Sequence, residues 1–229
     1  MHSSTLKIRL KARDQRIGTF SLIVFAPAFF LICTSGCQKA PAITDNSAID
    51  VQPGYGISNV CEIGMTFSQI KKANGDATAH GIYDGTFSWK RLESSGRGRF
   101  MLVPSLGAIA AIGNDEPLSL VEFYVWPHKD RSISALEVHT PFRGKLGNKL
   151  SFKDGTVSKM DVETIYGNVI QVATNAATAL AFRRKGEPFI HDRGNSVEEI
   201  WYPSKGVAFG FVTNVVKSFW IYKPIETNR

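Results

Sequence analysis

The sequence predicts an α+β fold of two tandem units, each a short helix packed on an antiparallel β-meander. Three observations predict it. Two segments carry the same order of strand, turn, helix cap and glycine stop. Two later segments carry the same order of turn and strands. The strands between them alternate apolar residues in the manner of a sheet with one covered face.

The first unit is read as residues 57–127. It opens Ile57-Ser-Asn-Val-Cys61-Glu-Ile63, an alternating stretch that puts Cys61 on the apolar row of Ile57 and Ile63 and makes it a packed thiol. Gly64 turns the chain. Thr66 is a cap residue, Gln69 three residues later completes a capping box, and Gly75 stops the helix. The second unit, residues 149–229, repeats the plan. Ser158 and Asp161 have the cap spacing, and Gly167 is the stop.

Further along, Val103-Pro104-Ser105-Leu106-Gly107 corresponds to Tyr202-Pro203-Ser204-Lys205-Gly206. Phe123-Tyr124-Val125-Trp126 corresponds to Phe219-Trp220-Ile221-Tyr222. Strands are expected at 81–91, 98–104, 107–113 and 119–126, then at 178–184, 197–202, 206–212 and 215–222. Residues 128–148 connect the units. A helix with one apolar face needs a sheet to cover it, which is why the layers are α+β.

The N-terminus is of a different kind. Lys7, Arg9, Lys11, Arg13 and Arg16 precede an apolar run from Phe20 to Cys33, and Thr34-Ser35-Gly36-Cys37 follows. A basic region, an apolar region and small residues at a cut form a secretory signal, here 1–36. The run of about 14 residues is short for a membrane-spanning helix of about 20. The ending resembles the lipobox of bacterial lipoproteins, with Thr34 where that family usually has Leu. The resemblance implies acylation of Cys37. Gln38, in place of the Asp that retains such proteins at the inner membrane, implies the outer membrane, with the body in the periplasm or at the cell surface. Residues 37–56, rich in Ala, Pro, Asn, Ser and Gly, read as a flexible tether.

Cleavage also changes the charge. The chain carries +7 overall, and losing five basic residues and one acidic residue leaves about +3. No Lys/Arg-rich block survives in the body, so nucleic-acid binding is not expected.

The start of the first unit, with its turn, Met65-Thr66, Gln69-Ile70 and Gly75, resembles the unit of the β-lactamase-inhibitory protein family. It is also similar to the small lipoprotein of the outer-membrane β-barrel assembly machinery. The inhibitory family carries two units in tandem. Its disulfide cysteines are absent here, so no binding residue carries over.

Chemical motifs are sparse. His80, His128, His139 and His191 are not paired at ligand spacing, and no metal site or cofactor is expected. His191-Asp192, followed by Arg193, Gly194 and Asn195, reads as a solvated loop. Ser68 and Lys71 match Ser-x-x-Lys without its companion elements, and belong on the exposed side of a helix whose Phe67 and Ile70 face inward. Gly96-Arg97-Gly98 beside Arg91 is a lone loop signal for an anion.

What stands out is aromatic. If Phe123 and Val125 face the helix, Tyr124 and Trp126 face away. On the same register Phe219 and Ile221 point in while Trp220 and Tyr222 point out, and Trp89 shares a face with Phe87. Counting back from the prolines shifts the register by one, which leaves open which face is covered. Such rows either fill a core between the two units or form a sheet face that grips a protein, since Trp and Tyr dominate protein interfaces. The expected role is therefore a non-catalytic envelope lipoprotein that binds another envelope protein through Tyr124, Trp126, Trp220, Tyr222 and Trp89, as an inhibitor or immunity-type protein. The alternatives are an outer-membrane assembly or scaffold factor, and an envelope hydrolase using clustered carboxylates or His191.

Overall fold

A computed structural model describes residues 45–75, 78–83, 98–112, 118–129, 137–194 and 197–226. The signal 1–36, Cys37, the first part of the tether and Trp89 lie outside the described residues, as do Arg91 and the Gly96-Arg97 pair.

Three short strands come first: β1 (Asp50–Val51), β2 (Gly56–Ile57) and β3 (Cys61–Glu62) precede helix α1 (Phe67–Asn74). Then β4 (Thr78–Tyr83), β5 (Gly98–Val103), β6 (Ala108–Ile112) and β7 (Leu118–Tyr124) follow as successive antiparallel neighbours. The region 128–148, expected only to connect, contains β8 (His128–Lys129) paired with β9 (Glu137–Val138), and β10 (Lys145–Leu146) paired with β11 (Leu150–Ser151). Helix α2 (Lys159–Tyr166), β12 (Val172–Ala173) and helix α3 (Ala176–Lys185) lead to β13 (Phe189–Asp192), β14 (Val197–Tyr202), β15 (Val207–Val212) and β16 (Val215–Tyr222).

The fold is α+β. Its main sheet has nine strands in the order β12-β13-β14-β15-β16-β7-β6-β5-β4, all antiparallel except the parallel pair of β12 with β13. The last strands, β7 and β16, lie side by side, with Phe123 opposite Phe219. Among the described residues, no helix is long and apolar enough to cross a membrane.

The caps have local causes. The Thr66 hydroxyl accepts from the Gln69 N–H at 3.3 Å, and the Gln69 side chain accepts from the Thr66 N–H at 2.7 Å. Ser158 and Asp161 make the same pair of bonds, at 3.2 and 2.8 Å. Gly75 and Gly167 end the two helices at positive φ. The turns that precede β6 and β15 also have the same form. Pro104–Leu106 and Pro203–Lys205 are single 3-10 turns, closed by Gly107 and Gly206 in the left-handed region. The carbonyl of Gly107 accepts from the Tyr124 N–H at 2.8 Å, and that of Gly206 from the Tyr222 N–H at 3.1 Å. A Cβ on Gly107 would come within 2.6 Å of the Thr140 carbonyl, and one on Gly206 would strike that of Tyr222, so neither position accepts a side chain.

Two expectations fail here. Residues 178–184 are not a strand but the body of α3. The Asn175 side chain accepts from the Thr178 N–H at 2.9 Å, and Gly186 stops the helix in the left-handed region. The buried positions Ala179 and Arg183 are spaced i, i+4, with Phe182 beside them, and Ala, Leu, Arg and Lys are strong helix formers. The strand expected there is supplied by β13. Residues 45–56 are not a free tether either. The Asn46 amide donates to the carbonyls of Ser105 and Pro141 at 3.3 and 3.2 Å, while the Arg143 N–H donates to Asn46 Oδ1 at 2.8 Å. β1 pairs in parallel with β10, Val51 is buried, and the Gly54 N–H donates to the Gly206 carbonyl at 3.1 Å.

Candidate functional site

Alternate residues on the central strands go to opposite faces, and each face has its own core. On the first, Phe123 and Phe219 stack at 4.9 Å and Phe152 stacks on Phe219 at 4.8 Å, with Phe142 edge-on to Phe219 at 5.5 Å. Ile70 of α1 and Val162 of α2 close this core from above. Cys61 belongs to it, and burial pushes its thiol up to about 12, which leaves no reactive thiolate.

The second face carries the residues expected to bind a partner, and most of them are covered. Tyr124, Trp220 and Tyr222 are buried, packed with Leu120, Val138, Phe189 and Trp201. The small residues Ala208 and Gly210 on β15 leave a trough. Trp220 lies across it, so that a Cβ on Gly210 would meet its ring at 2.9 Å. The ring stacks on Trp201 at 5.7 Å and 8°, and Trp201 stacks on Phe189 at 6.1 Å. Helix α3 is the lid. Phe182 stacks on Phe189 at 5.9 Å, and the Arg183 guanidinium lies 5.3 Å from the Tyr222 ring and 5.9 Å from Trp201. Of the two registers the sequence left open, the structure has the one with Phe123, Phe219 and Ile221 on the first face and Tyr124, Trp220 and Tyr222 on the second. The outward row is occupied by the helix that the sequence disguised as a strand, so these three aromatics are core residues. Of the five binding candidates, Trp126 alone among the described residues is exposed, at 44%, with the Lys217 ammonium 3.5 Å over its ring.

A polar cluster shares this face. Glu199 on β14 is buried, accepts from Trp201 Nε1 at 3.1 Å, and lies 2.7 Å from Arg193 Nε and 3.5 Å from His191 Nδ1. Glu122 on β7 is buried beside Tyr124, Ser218 and Trp220. Burial pushes its carboxyl up to about 7, the Glu199 charge adds to the rise, and polar contacts from those three neighbours oppose it. A carboxyl held towards its neutral form on the same face as an ion-paired carboxylate is an arrangement able to give and take protons. His191 is therefore no loop residue. It sits in β13 opposite Glu199, while Asp192 turns to solvent and accepts from the Gly194 N–H at 2.8 Å. Ser68 and Lys71 are exposed on α1, with Ile70 inward. Among the described residues, no three His, Cys, Asp or Glu side chains are grouped to hold a metal.

Sequence reasoning missed Glu122 and Glu199. Each is a single acid on an alternating row whose other members are apolar, Leu120 and Tyr124 in one strand and Trp201 in the other. That interruption was the available signal.

Two surface features complete the inventory. A shallow cleft of about 300 Å³ lies between α2 and the segment 149–157, lined by Lys149, Ser151, Asp154, Asp161 and Thr164 among others. At the end of the sheet, β12 pairs among the described residues with β13 alone; Val172 in it is 49% exposed, and Ile170, two residues before it, is 86% exposed. No family model matches the chain, and no curated protein or solved structure matches it.

Proposed function

We propose that the mature chain is a lipid-anchored protein of the outer membrane whose body binds another envelope protein without catalysis, as an inhibitor or immunity-type protein. The observation that carries this reading is the edge of the sheet at β12. An edge strand offers its free backbone groups to a partner strand, and apolar side chains beside it supply the buried contact. Ile170 and Val172 are large, apolar and open at that edge. A tandem organisation is part of the proposal. It is supported by the matching capping boxes at Thr66 and Ser158, and by the matching Pro-Ser-x-Gly turns whose glycine carbonyls each accept from the last strand of their half. In the β-lactamase-inhibitory family, which the first unit resembles, such a tandem serves protein binding.

The test is a crosslinked pull-down from the native envelope with the wild-type chain and with Ile170→Glu/Val172→Glu. Loss of a hot-spot pair of this kind is expected to reduce recovery of the partner at least about 30-fold. Equal recovery by a folded variant removes β12 as the binding edge. A soluble enzyme or toxin held one to one supports the inhibitor role, whereas β-barrel assembly components support an assembly role.

A second reading, an envelope hydrolase, is favoured by one observation: two buried carboxyl groups on one face, with Glu122 held towards its neutral form and Glu199 ion-paired to Arg193. Such a pair suits general acid–base chemistry. Turnover of chromogenic glycosides by the wild type, lost in Glu122→Gln, would replace the binder reading.

A further inference from the structure

We infer that Trp126, with Lys217 against its ring, rests in the lipid headgroup layer of the membrane that anchors the chain. The inference deepens the lipid-anchor reading above and rests on it. Its starting point is where the tether ends. Asn46 is already fixed to the body through Ser105, Pro141 and Arg143. Only residues 38–45 separate it from Cys37, and even fully extended they span at most about 30 Å. On the lipid-anchor reading the body therefore stays within about 30 Å of the membrane, and the chain enters it at the end that holds Asn46.

Trp126 belongs to that end. The Arg143 N–H donates to Asn46, and the Arg143 guanidinium donates to the Val125 carbonyl at 2.6 Å, so two contacts link the tether's docking point to the residue before Trp126. The Phe142 N–H donates to the Tyr124 carbonyl at 2.7 Å and holds the same strand end in place. What this end presents is suited to the boundary between water and lipid. The exposed indole has an apolar body and a polar N–H, the chemistry that collects at membrane interfaces. The Lys217 ammonium stacked on it supplies a cation that can extend to lipid phosphates. The geometry also leaves the partner edge free. Five strand spacings, roughly 24 Å at about 4.8 Å each, separate β7 from β12.

The test uses protein purified from its own envelope and reconstituted into phosphatidylethanolamine–phosphatidylglycerol vesicles that contain lipids brominated at shallow and deep positions. Mass spectrometry first reads the state of Cys37. Tryptophan emission is then compared between the wild type and Trp126→Phe, so that the difference isolates Trp126 from Trp89 and from the buried Trp201 and Trp220. Shallow bromine is expected to reduce the Trp126 emission at least about twofold, and deep bromine far less, as for a ring at headgroup depth. Lys217→Gln, which keeps the indole, is expected to weaken that quenching. Acylated Cys37 with unquenched Trp126 overturns this inference and leaves the anchor standing. An unacylated Cys37 overturns the anchor and this inference with it.

Discussion

On the face under α1 and α2, the central strands present Val121, Phe123, Val207, Phe209, Phe219 and Ile221, all of them apolar. On the opposite face the same strands present Glu122, Tyr124, Ser218, Trp220, Tyr222, Glu199 and Trp201, lidded by a helix that sends Arg183 into the aromatics. Both faces are buried. They differ in what burial demands. The first needs only complementary volume, because none of its central side chains has a charge to lose. The second must satisfy carboxylates and a guanidinium out of water, and so is stable only under conditions that suit their charges. The aromatic residues of the second face stabilise the fold as those of the first do, but its buried carboxyl groups carry a desolvation cost. Its cost is the reason to look there for chemistry, as the hydrolase reading does.

The largest expected effect tests the first face. Phe219 touches Phe123, Phe142 and Phe152 and is fully buried, so Phe219→Ala should lower unfolding stability by about 3–5 kcal/mol. Phe219→Leu, which conserves much of the volume, should cost less than about 1.5 kcal/mol. Urea unfolding measures both, and the losses should be the same at pH 5 and pH 8.5. A pH-dependent loss would break the contrast between the faces.

Glu122 tests the second face. Its folded value is raised to about 7 from an ordinary 4.5, so the folded state favours the neutral acid. The contribution is fully present below about 4.5, falls as pH rises through about 7, and is constant above that. Between pH 5 and pH 8.5 the wild type should therefore lose on the order of 2–3 kcal/mol relative to Glu122→Gln, whose amide cannot ionise. Urea midpoints of both proteins at the two pH values measure the difference. Parallel pH profiles would show that Glu122 ionises freely and that the second face is wetter than its packing implies.

How the sequence was read follows the same division. The caps, stops, Pro-Ser turns and the strands around Phe123 and Phe219 were legible because each is set by a few neighbouring residues, and all of them serve the first face or the turns that frame it. The second face was not. Thr178-Ala179-Leu180-Ala181-Phe182 alternates well enough to pass for a strand, and only the Asn175 cap and the Gly186 stop, seen together, mark it as α3. Taken as a strand, it left Trp220 and Tyr222 uncovered and made core residues look like a binding surface. Residues 45–56 failed for another reason. Asn46, Val51 and Gly54 are held by groups as distant as Pro141 and Gly206, and composition carries no trace of such long-range contacts.

The smallest effects sharpen the comparison most. Thr66→Ala and Ser158→Ala each remove a capping hydroxyl from a helix of eight residues, and each should cost about 1 kcal/mol. Both caps are half-buried at the surface, and both helices rest on the face without charges. Their costs should therefore be equal at pH 5 and pH 8.5, and the double variant should lose the sum within about 0.5 kcal/mol. Asn175→Ala removes the corresponding acceptor from α3 and should cost a similar amount at pH 5. At pH 8.5 its cost should shrink. There the wild type already bears an ionised Glu122 under the aromatic layer that α3 covers, and a loosened lid lets water reach that charge. Equal costs at both pH values would mean that α3 and the carboxyl cluster are independent, and that the second face is two small structures in place of one.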